Sequence, residues 1–479
     1  MPPRSRNSAA ATATGATGAA NVVGFGSLPD ALVVKIFGCL KFQERHQHLP
    51  LVCTAWSHFV DSPELLRDVN VHIHSSICSS QPAIKLAGFV DWLLQRSGRV
   101  ERLELHHMDS KYNIDNSSEL LSLTGEDWME FQDAMTSLEQ APLRELVIRQ
   151  DVISLQLCWE PGPLYQSLRF LEVVSLEQEE YAQAPLAIYT PLQACTGLTD
   201  LRLSAWNLDL DGAVAFPPSL TALYLGQHAP SVTSPKLKKL LKPMRQLRHI
   251  GLRGFDLSGV DFGAFGSTLE RLSLRDCGAL PSAVSRLTGL RSLAWEHFYE
   301  SPRAAKAQLT GAAIDGTLRH LTQLTILALQ SPQPGDADMS GLPQSLTSLR
   351  QLHTFCCKSL PPCLPAEGPW LSSLRQLVVP PTVAAASLPA LASATQLEKL
   401  CLLDVEQAAA MEGLPYDVGP GGPAAHWKAV DQISEWAANR PHIDFDPSGE
   451  RLYPAVAQQL MTLTLLKADD WWSFRSAHI

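Results

Sequence analysis

This sequence has little charge and no recognisable catalytic chemistry. Asp, Glu, Lys and Arg together make up 18% of its 479 residues, and the formal net charge is −10. No overall basic field therefore draws in nucleic acid. No run of eighteen or more apolar residues occurs, so no membrane span is expected. Ten cysteines lie scattered from Cys39 to Cys401 without a C-x-x-C pair. A chain of this length needs no disulfide framework, so buried thiols and a cytoplasmic or nuclear setting are expected. G-x-S-x-G, H-E-x-x-H and G-x-x-x-x-G-K are all missing. His72 with His74, and His106 with His107, have no third ligand at metal spacing. The stretch Asp444-x-Asp446-x-Ser448-Gly449 opens like a calcium loop, but Pro447 interrupts it and Ala455 stands where the bidentate carboxylate belongs. No metal, no cofactor and no enzymatic activity are expected.

What is present is a recurring Leu-x-x-Leu-x-Leu. Leu198-Thr-Asp-Leu201-Arg-Leu203, Leu220-Thr-Ala-Leu223-Tyr-Leu225 and Leu269-Glu-Arg-Leu272-Ser-Leu274 are clear copies. Taking the middle residue of each copy gives twelve markers: Leu103, Leu146, Leu171, Leu201, Leu223, Ile250, Leu272, Leu293, Leu327, Leu352, Leu377 and Leu400. Most of their separations fall between 21 and 30 residues, the period of a leucine-rich repeat. Two longer gaps hold insertions, Glu119 to Gln140 and Tyr299 to Gly316. One such repeat cannot offset its chain entropy alone, whereas stacked copies share a leucine column and satisfy one another's backbone. The expected fold class is α/β: a curved solenoid whose parallel strands line a concave face. The fullest copies, Leu269 to Pro281 and Leu349 to Pro361, resemble Cys-bearing leucine-rich repeats, with Cys277 and Cys357 at the turn.

A different pattern precedes the repeats. Ser27-Leu-Pro-Asp30 has the composition of a helix start. Leu28, Leu32, Ile36 and Leu40 then recur every four residues, and Val33 and Phe37 form a second apolar stripe. A short helix with two apolar faces needs two partners, its own module and something outside. Leu49, Val52, Cys53, Trp56, Phe59 and Val60 trace one face of a second helix, which Ser62-Pro63 ends. Leu28-Pro29-Asp30-Ala31-Leu32, Ile36-Phe37, Leu40, Leu51-Val52-Cys53, Trp56 and Ser62-Pro63-Glu64-Leu65 together resemble an F-box. Ala31 stands where that family often has Glu, and Gln43 to His48 lacks its leucines. The resemblance implies a Skp-type adaptor and, through it, a cullin as partners. It carries the adaptor-contact role onto Leu28, Pro29, Leu32, Ile36, Phe37, Leu51, Val52 and Trp56. F-box modules followed by leucine-rich repeats are substrate receptors of ubiquitin ligases. The alternatives are a helical cap using the same leucines as core, or a plain interaction scaffold.

The expected organisation is a low-complexity tail over 1–26, an F-box-like module over 27–72, a solenoid of about twelve repeats over 73–425 and a C-terminal cap over 426–479. The tail carries only Arg4 and Arg6 as charges; it reads as disordered chain, with an organelle transit peptide as the alternative. In the cap, a helix from His426 to Asn439 presents Trp427, Val430, Ile433, Trp436 and Ala437 on one side. His442 to Asp446 is expected to add a last strand. Trp471, Trp472 and Phe474 are expected to cover the open end. On the strand face, Arg202, Tyr224, His249, Arg253, Arg271 and Arg275 point outward behind a front half bearing Glu104, Glu145 and Glu172. Forked arginine donors suit carboxylates and phosphates. The patch is expected either to receive an acidic or phosphorylated segment of a substrate protein, or to be a solvated face closed by local ion pairs.

Overall fold

The computed structural model describes residues 28–74, 86–108, 142–150, 156–157, 164–175, 186–188, 192, 195–205, 208–210, 216–227, 234–277, 280–296, 311–330, 342–357, 363–365, 367–403 and 422–447. The chain divides into two compact units, Met1–Arg67 and Asp68–Ile479.

The first unit is helical. Helix α1 (Asp30–Gly38) follows Pro29, and Asp30 sits in its first turn, where an acidic side chain complements the helix dipole. The stop that ends α1 is followed by α2 (Phe42–His48), whose N-terminus is closed by Lys41 N–H donating to Glu44 Oε2 at 3.0 Å. The helix expected to run from Leu49 to Val60 is split. Leu49–Leu51 forms a 3-10 turn with Pro50 in its opening positions, and Cys53 is fully extended at φ −165°. Helix α3 then runs over Thr54–Val60 and the short α4 over Pro63–Leu66. The break turns Leu51, Val52 and Cys53 outward, where a continuous helix would have kept Val52 on the buried side. Val33, Phe37, Leu49, Val60 and Leu65 form the core, with Leu28, Val34, Trp56 and Phe59 packed against it. Phe37 is its centre, edge-on to Trp56 at 5.1 Å and to Phe59 at 6.3 Å.

The second unit is a stack of parallel strands. In chain order these are β1 (Asp68–His74), β2 (Arg102–Met108), β3 (Glu145–Gln150), β4 (Gln156–Leu157), β5 (Phe170–Ser175), β6 (Leu186–Ile188), β7 (Asp200–Ala205), β8 (Leu208–Asp209) and β9 (Ala222–Gln227). They continue as β10 (His249–Arg253), β11 (Arg271–Arg275), β12 (Ser292–Glu296), β13 (Ile326–Gln330), β14 (Thr354–Cys357), β15 (Gln376–Val379), β16 (Lys399–Leu402) and β17 (Asp444–Asp446). Fourteen of them make one open sheet, and β4, β6 and β8 make a small second sheet. The helices followed by an unclosed parallel sheet are the fold class read from the sequence. β1 pairs with β2 from Asp68 onward, so the sheet begins before the expected boundary at 73. β17 supplies the last strand expected near His442 to Asp446.

The physics of the stack is visible in two rows. The marker residues Leu103, Leu146, Leu171, Leu201, Leu223, Ile250, Leu272, Leu293, Leu327, Leu377 and Leu400 are each at most 1% exposed, and each fully buried side chain of this kind contributes about 1.5–3 kcal/mol. The residue entering each strand donates its N–H to the corresponding carbonyl of the preceding repeat, from Arg144 to Glu101 at 2.7 Å through to Asp444 to Glu398 at 2.8 Å. One marker is corrected. Leu327 stands beside Phe355, and Phe355 beside Leu377, so Phe355 rather than Leu352 fills the column. Leu352 is the buried leucine one step earlier, and Cys357 closes the strand instead of sitting at a turn. A copy that spells Leu349-x-x-Leu352-x-Thr354 matches the motif in two registers, and the larger Phe355 side chain wins the core position.

At the far end a helix over Gly422–Ala438 packs against the helix Pro381–Ala386. Its buried side is Ala429, Ile433 and Ala437, whereas Trp427 is 53% exposed and so lies off the face expected for it. Trp436 is half-buried beneath the Arg440 guanidinium, 4.1 Å from the ring centre. Trp471, Trp472, Phe474, the 1–26 tail and the insertion Glu119 to Gln140 lie outside the described residues.

Candidate functional site

The front unit has completed its own core, yet keeps apolar side chains outside it. On α1, Val33 and Phe37 face inward, at 3% and 1% exposed, while Leu32, Ile36 and Leu40 follow one another at i, i+4 and i+8 on the open side. Leu51 and Val52, at the break between the 3-10 turn and α3, are also exposed. Seven large apolar side chains are exposed among the described residues, and five of them fall between Leu32 and Val52. That concentration, on so small a unit, marks a candidate interaction surface.

The residues assigned to adaptor contact divide accordingly. Pro29, Leu32, Ile36, Leu51 and Val52 are accessible. Leu28 and Trp56 are half-buried against the core. Phe37 is corrected: it is the hub of the unit's interior and contributes by holding α1 in place. Leu40, read from its spacing into the same stripe as Ile36 but not assigned to adaptor contact, is exposed with it.

The strand face behaves differently from its expected division into an acidic front and a basic middle. Its charges are interleaved. Glu104 accepts from Arg102 at 3.0 Å and contacts His106 Nε2 at 2.9 Å. Arg149 reaches Glu104 at 3.6 Å and Glu172 at 2.8 Å. Arg202 lies 3.7 Å from Glu172, is paired with Asp200 at 3.2 Å and rests on the Phe170 ring. Glu104, Arg149 and Glu172 are all buried. Burial pushes the Glu172 carboxyl upward, against the opposing pull of Arg149 and Arg202.

The remaining patch residues are likewise engaged. Arg275 donates to Glu296 at 2.9 Å and is nearly buried. Arg253 lies 3.7 Å from Asp276 and its side chain is 24% exposed; burial and the adjacent Arg275 lower its pKa. Tyr224, 5% exposed, packs with Val174, and burial raises its phenol. His249 and Arg271 stand side by side in β10 and β11, and burial followed by Arg271 lowers the His249 pKa. The sheet brings the six residues onto one face, but Tyr224 and Arg275 offer almost no surface to a partner, and Arg202, Arg253 and Arg275 already have carboxylates. Charges at matching offsets of successive repeats were the missed signal: they pair across strands about 4.8 Å apart.

Among the described residues, no group of three His, Cys, Asp or Glu side chains is placed to hold a metal ion, and no helix is long and apolar enough to cross a membrane.

The F-box domain model matches residues 25–68. The front unit is an F-box domain. Its match closes where β1 of the stack begins, so the chain is an F-box domain followed by a leucine-rich-repeat solenoid. None of the curated proteins matches the chain. Solved structures similar to it include the TLR13–ssRNA13 complex, at 14% identity and TM-score 0.37, with 70% of this chain and 48% of that one covered. Another is the functional domain of InlJ from Listeria monocytogenes, which includes a cysteine ladder (14% identity, TM-score 0.30, 71% of this chain and 69% of that one). A third is the leucine-rich-repeat-containing protein LegL7 from Legionella pneumophila (14% identity, TM-score 0.30, 63% of this chain and 94% of that one). The chain spans about half the length of the first of these.

Proposed function

We infer that this chain is the substrate-recognition subunit of a Skp–cullin–F-box type ubiquitin ligase. The observation that carries the reading is the cluster of exposed apolar side chains Leu32, Ile36, Leu40, Leu51 and Val52 on an F-box whose interior is already filled. A Skp-type adaptor would cover that ledge, and a cullin would join through the adaptor. The role is not enzymatic. The chain would hold a target protein so that its lysines meet activated ubiquitin at high effective concentration. The half-exposed row formed by Arg202, Arg253, His249 and Arg271 is where an acidic or phosphorylated target segment would exchange its carboxylates or phosphates for the local Asp and Glu partners. This role sets the protein in the cytoplasm or nucleus.

The experiment is capture of purified adaptor by the full chain. The Ile36→Glu and Leu51→Glu variants should each weaken capture at least tenfold while the thermal transition stays in place. Undiminished capture by both folded variants, or no capture by the wild-type chain, would overturn the reading and leave an interaction scaffold.

A further inference from the structure

Charge is divided unevenly along this acidic chain. No Asp or Glu occurs from Gly212 to Phe255, a stretch that holds seven Lys and Arg. It carries a formal +7, which leaves −17 on the rest of the chain. Six of the seven lie on the return from β9 to β10, which the helix Ser234–Leu241 begins. Leu237, Leu240 and Leu241 turn into the core, and Met244 and Leu247 continue the buried side. Lys236, Lys238, Lys239, Lys242, Arg245 and Arg248 are all exposed.

Stacking of the repeats extends the cluster. Arg248, Glu270 and Arg291 precede β10, β11 and β12. Glu270 N–H donates to the Arg248 carbonyl and Arg291 N–H to the Glu270 carbonyl, each at 2.8 Å. Two interstrand steps, about 10 Å, therefore separate the two arginines. Arg245 Nη1 donates to the Ala264 carbonyl at 3.1 Å. The stem of Arg286 lies along Gly263, where a Cβ would stand 2.8 Å from its Cδ. Arginines of two repeats thus bracket one 3-10 turn, Phe262–Phe265. The carboxylates beside them are Asp261 and Glu270, and Glu270 is 3.6 Å from Arg248 in an exposed pair. Among the described residues, Lys238, Lys239 and Lys242 have no carboxylate within ion-pairing reach.

Stability explains only part of this. Lys238, Lys239 and Lys242 complement the dipole at the C-terminal end of their helix. Arg245, Arg248, Arg286 and Arg291 have no such role, and like charges brought together repel.

Surface chemistry separates the polyanions that could sit here. Protein interfaces rely on aromatic, Met and Arg anchors and are depleted in Lys. No large apolar side chain is exposed on the described residues between Ser234 and Arg291. Single-stranded nucleic acid needs aromatic rings for its bases, and none is offered. A duplex presents a rigid lattice of phosphates, which would meet Asp261 and Glu270 along with the cations. A bilayer differs, because its anionic lipids move laterally and gather under cations, leaving neutral lipids beneath the acids. Each cation near such a surface strengthens binding about fivefold. The attraction fades within about 8 Å, so more distant acidic residues oppose it weakly.

We propose that the helix Ser234–Leu241, the segment that follows it to Arg248, and the edge at Arg286 and Arg291 dock this chain on membranes rich in anionic lipid. The contact is peripheral. The helix keeps its leucines in the core and inserts nothing into the hydrocarbon, so attachment is reversible and weakened by salt. This goes beyond the ubiquitin-ligase reading and does not depend on it.

Flotation of the purified full chain with vesicles tests it. The wild-type chain should float with phosphatidylcholine vesicles that carry phosphatidylserine. It should stay behind with phosphatidylcholine alone and be released by high salt. Lys238→Gln, Lys239→Gln and Lys242→Gln together should cut partitioning on the order of a hundredfold, with the thermal transition unchanged. If that transition moves, the pair Arg286→Gln, Arg291→Gln is read instead and should cut partitioning at least tenfold. Failure of the wild-type chain to float with phosphatidylserine, or equal flotation of the folded variants, would overturn the proposal. It also falls if vesicles are ignored while duplex DNA or inositol hexakisphosphate is held by the wild type and lost by the lysine variant. The occupant would then be a soluble polyanion.

Discussion

Arg149 holds Glu172 through two nitrogens at once, Nε at 2.9 Å and Nη2 at 2.8 Å from the same carboxylate oxygen. Both side chains are buried, at 7% and 2% exposed. They stand on neighbouring strands, β3 and β5, and link the front repeats through Glu104 on one side and Arg202 on the other. Desolvation makes such a pair costly to break and of modest net value when intact.

Breaking the pair from one side should therefore destabilise the solenoid strongly. Glu172→Ala leaves the Arg149 charge buried with only the more distant Glu104, and is expected to cost about 3–5 kcal/mol. The combined replacement Arg149→Met, Glu172→Leu should restore most of that loss. Urea unfolding of Arg149→Met, Glu172→Leu and their combination measures the coupling. Additive losses would show that the residues act independently.

Within the F-box, exposure separates two kinds of variant at adjacent positions. Phe37→Ala empties the module's centre and is expected to cost about 3–5 kcal/mol, more than a unit this small can absorb. Ile36→Glu touches only surface and should leave the helical circular dichroism signal intact. If Phe37→Ala left the module's melting unchanged, the packing of Trp56 and Phe59 around it would be wrong.

Gly254 should tolerate no side chain. Its φ is +75°, and a Cβ there would come within 2.0 Å of the Gln227 carbonyl oxygen. Its own N–H is committed to Arg275 at 2.8 Å. Gly254→Ala is expected to cost about 2 kcal/mol or more through strain and displacement. A melting temperature equal to wild type would refute the close approach of these two repeats.

His249 should make stability depend on pH. Burial and Arg271 lower its pKa from the ordinary 6.5, with Glu270 and Asp200 opposing and Arg248 assisting. The unfolded chain then binds a proton at a pH where the folded chain does not, so stability falls as pH drops below about 6.5. The loss continues until the folded histidine itself titrates. The urea midpoint of wild type, compared between pH 7.5 and 5.5, should fall further than that of His249→Gln. A larger fall in the variant would reverse the sign and reject the assignment.

Much of this was legible from side-chain spacing. The leucine column needs only a period, because a buried marker must recur wherever a strand recurs, and eleven of the twelve markers stand where the pattern put them. The exception, Leu352, shows the limit: when apolar residues satisfy the motif in two frames, the frame is chosen by which side chains fill the interior, and Phe355 filled it. The helix expected over Leu49 to Val60 failed for a related reason, since periodicity reports a face but not a break in the backbone at Cys53.

The sequence alone settled that the chain is a stack of leucine-rich units behind a small helical module with apolar residues to spare, because burial periodicity and module size are local properties. Only the tertiary structure decided which of those residues are spare. Phe37 went inside and Ile36 stayed out because the position of α3 and α4, and not the spacing along α1, selects the buried face. It also decided that Arg149, Arg253 and Arg275 are paired with carboxylates, since those partners come from other repeats, twenty or more residues away, and meet only once the strands are stacked in register.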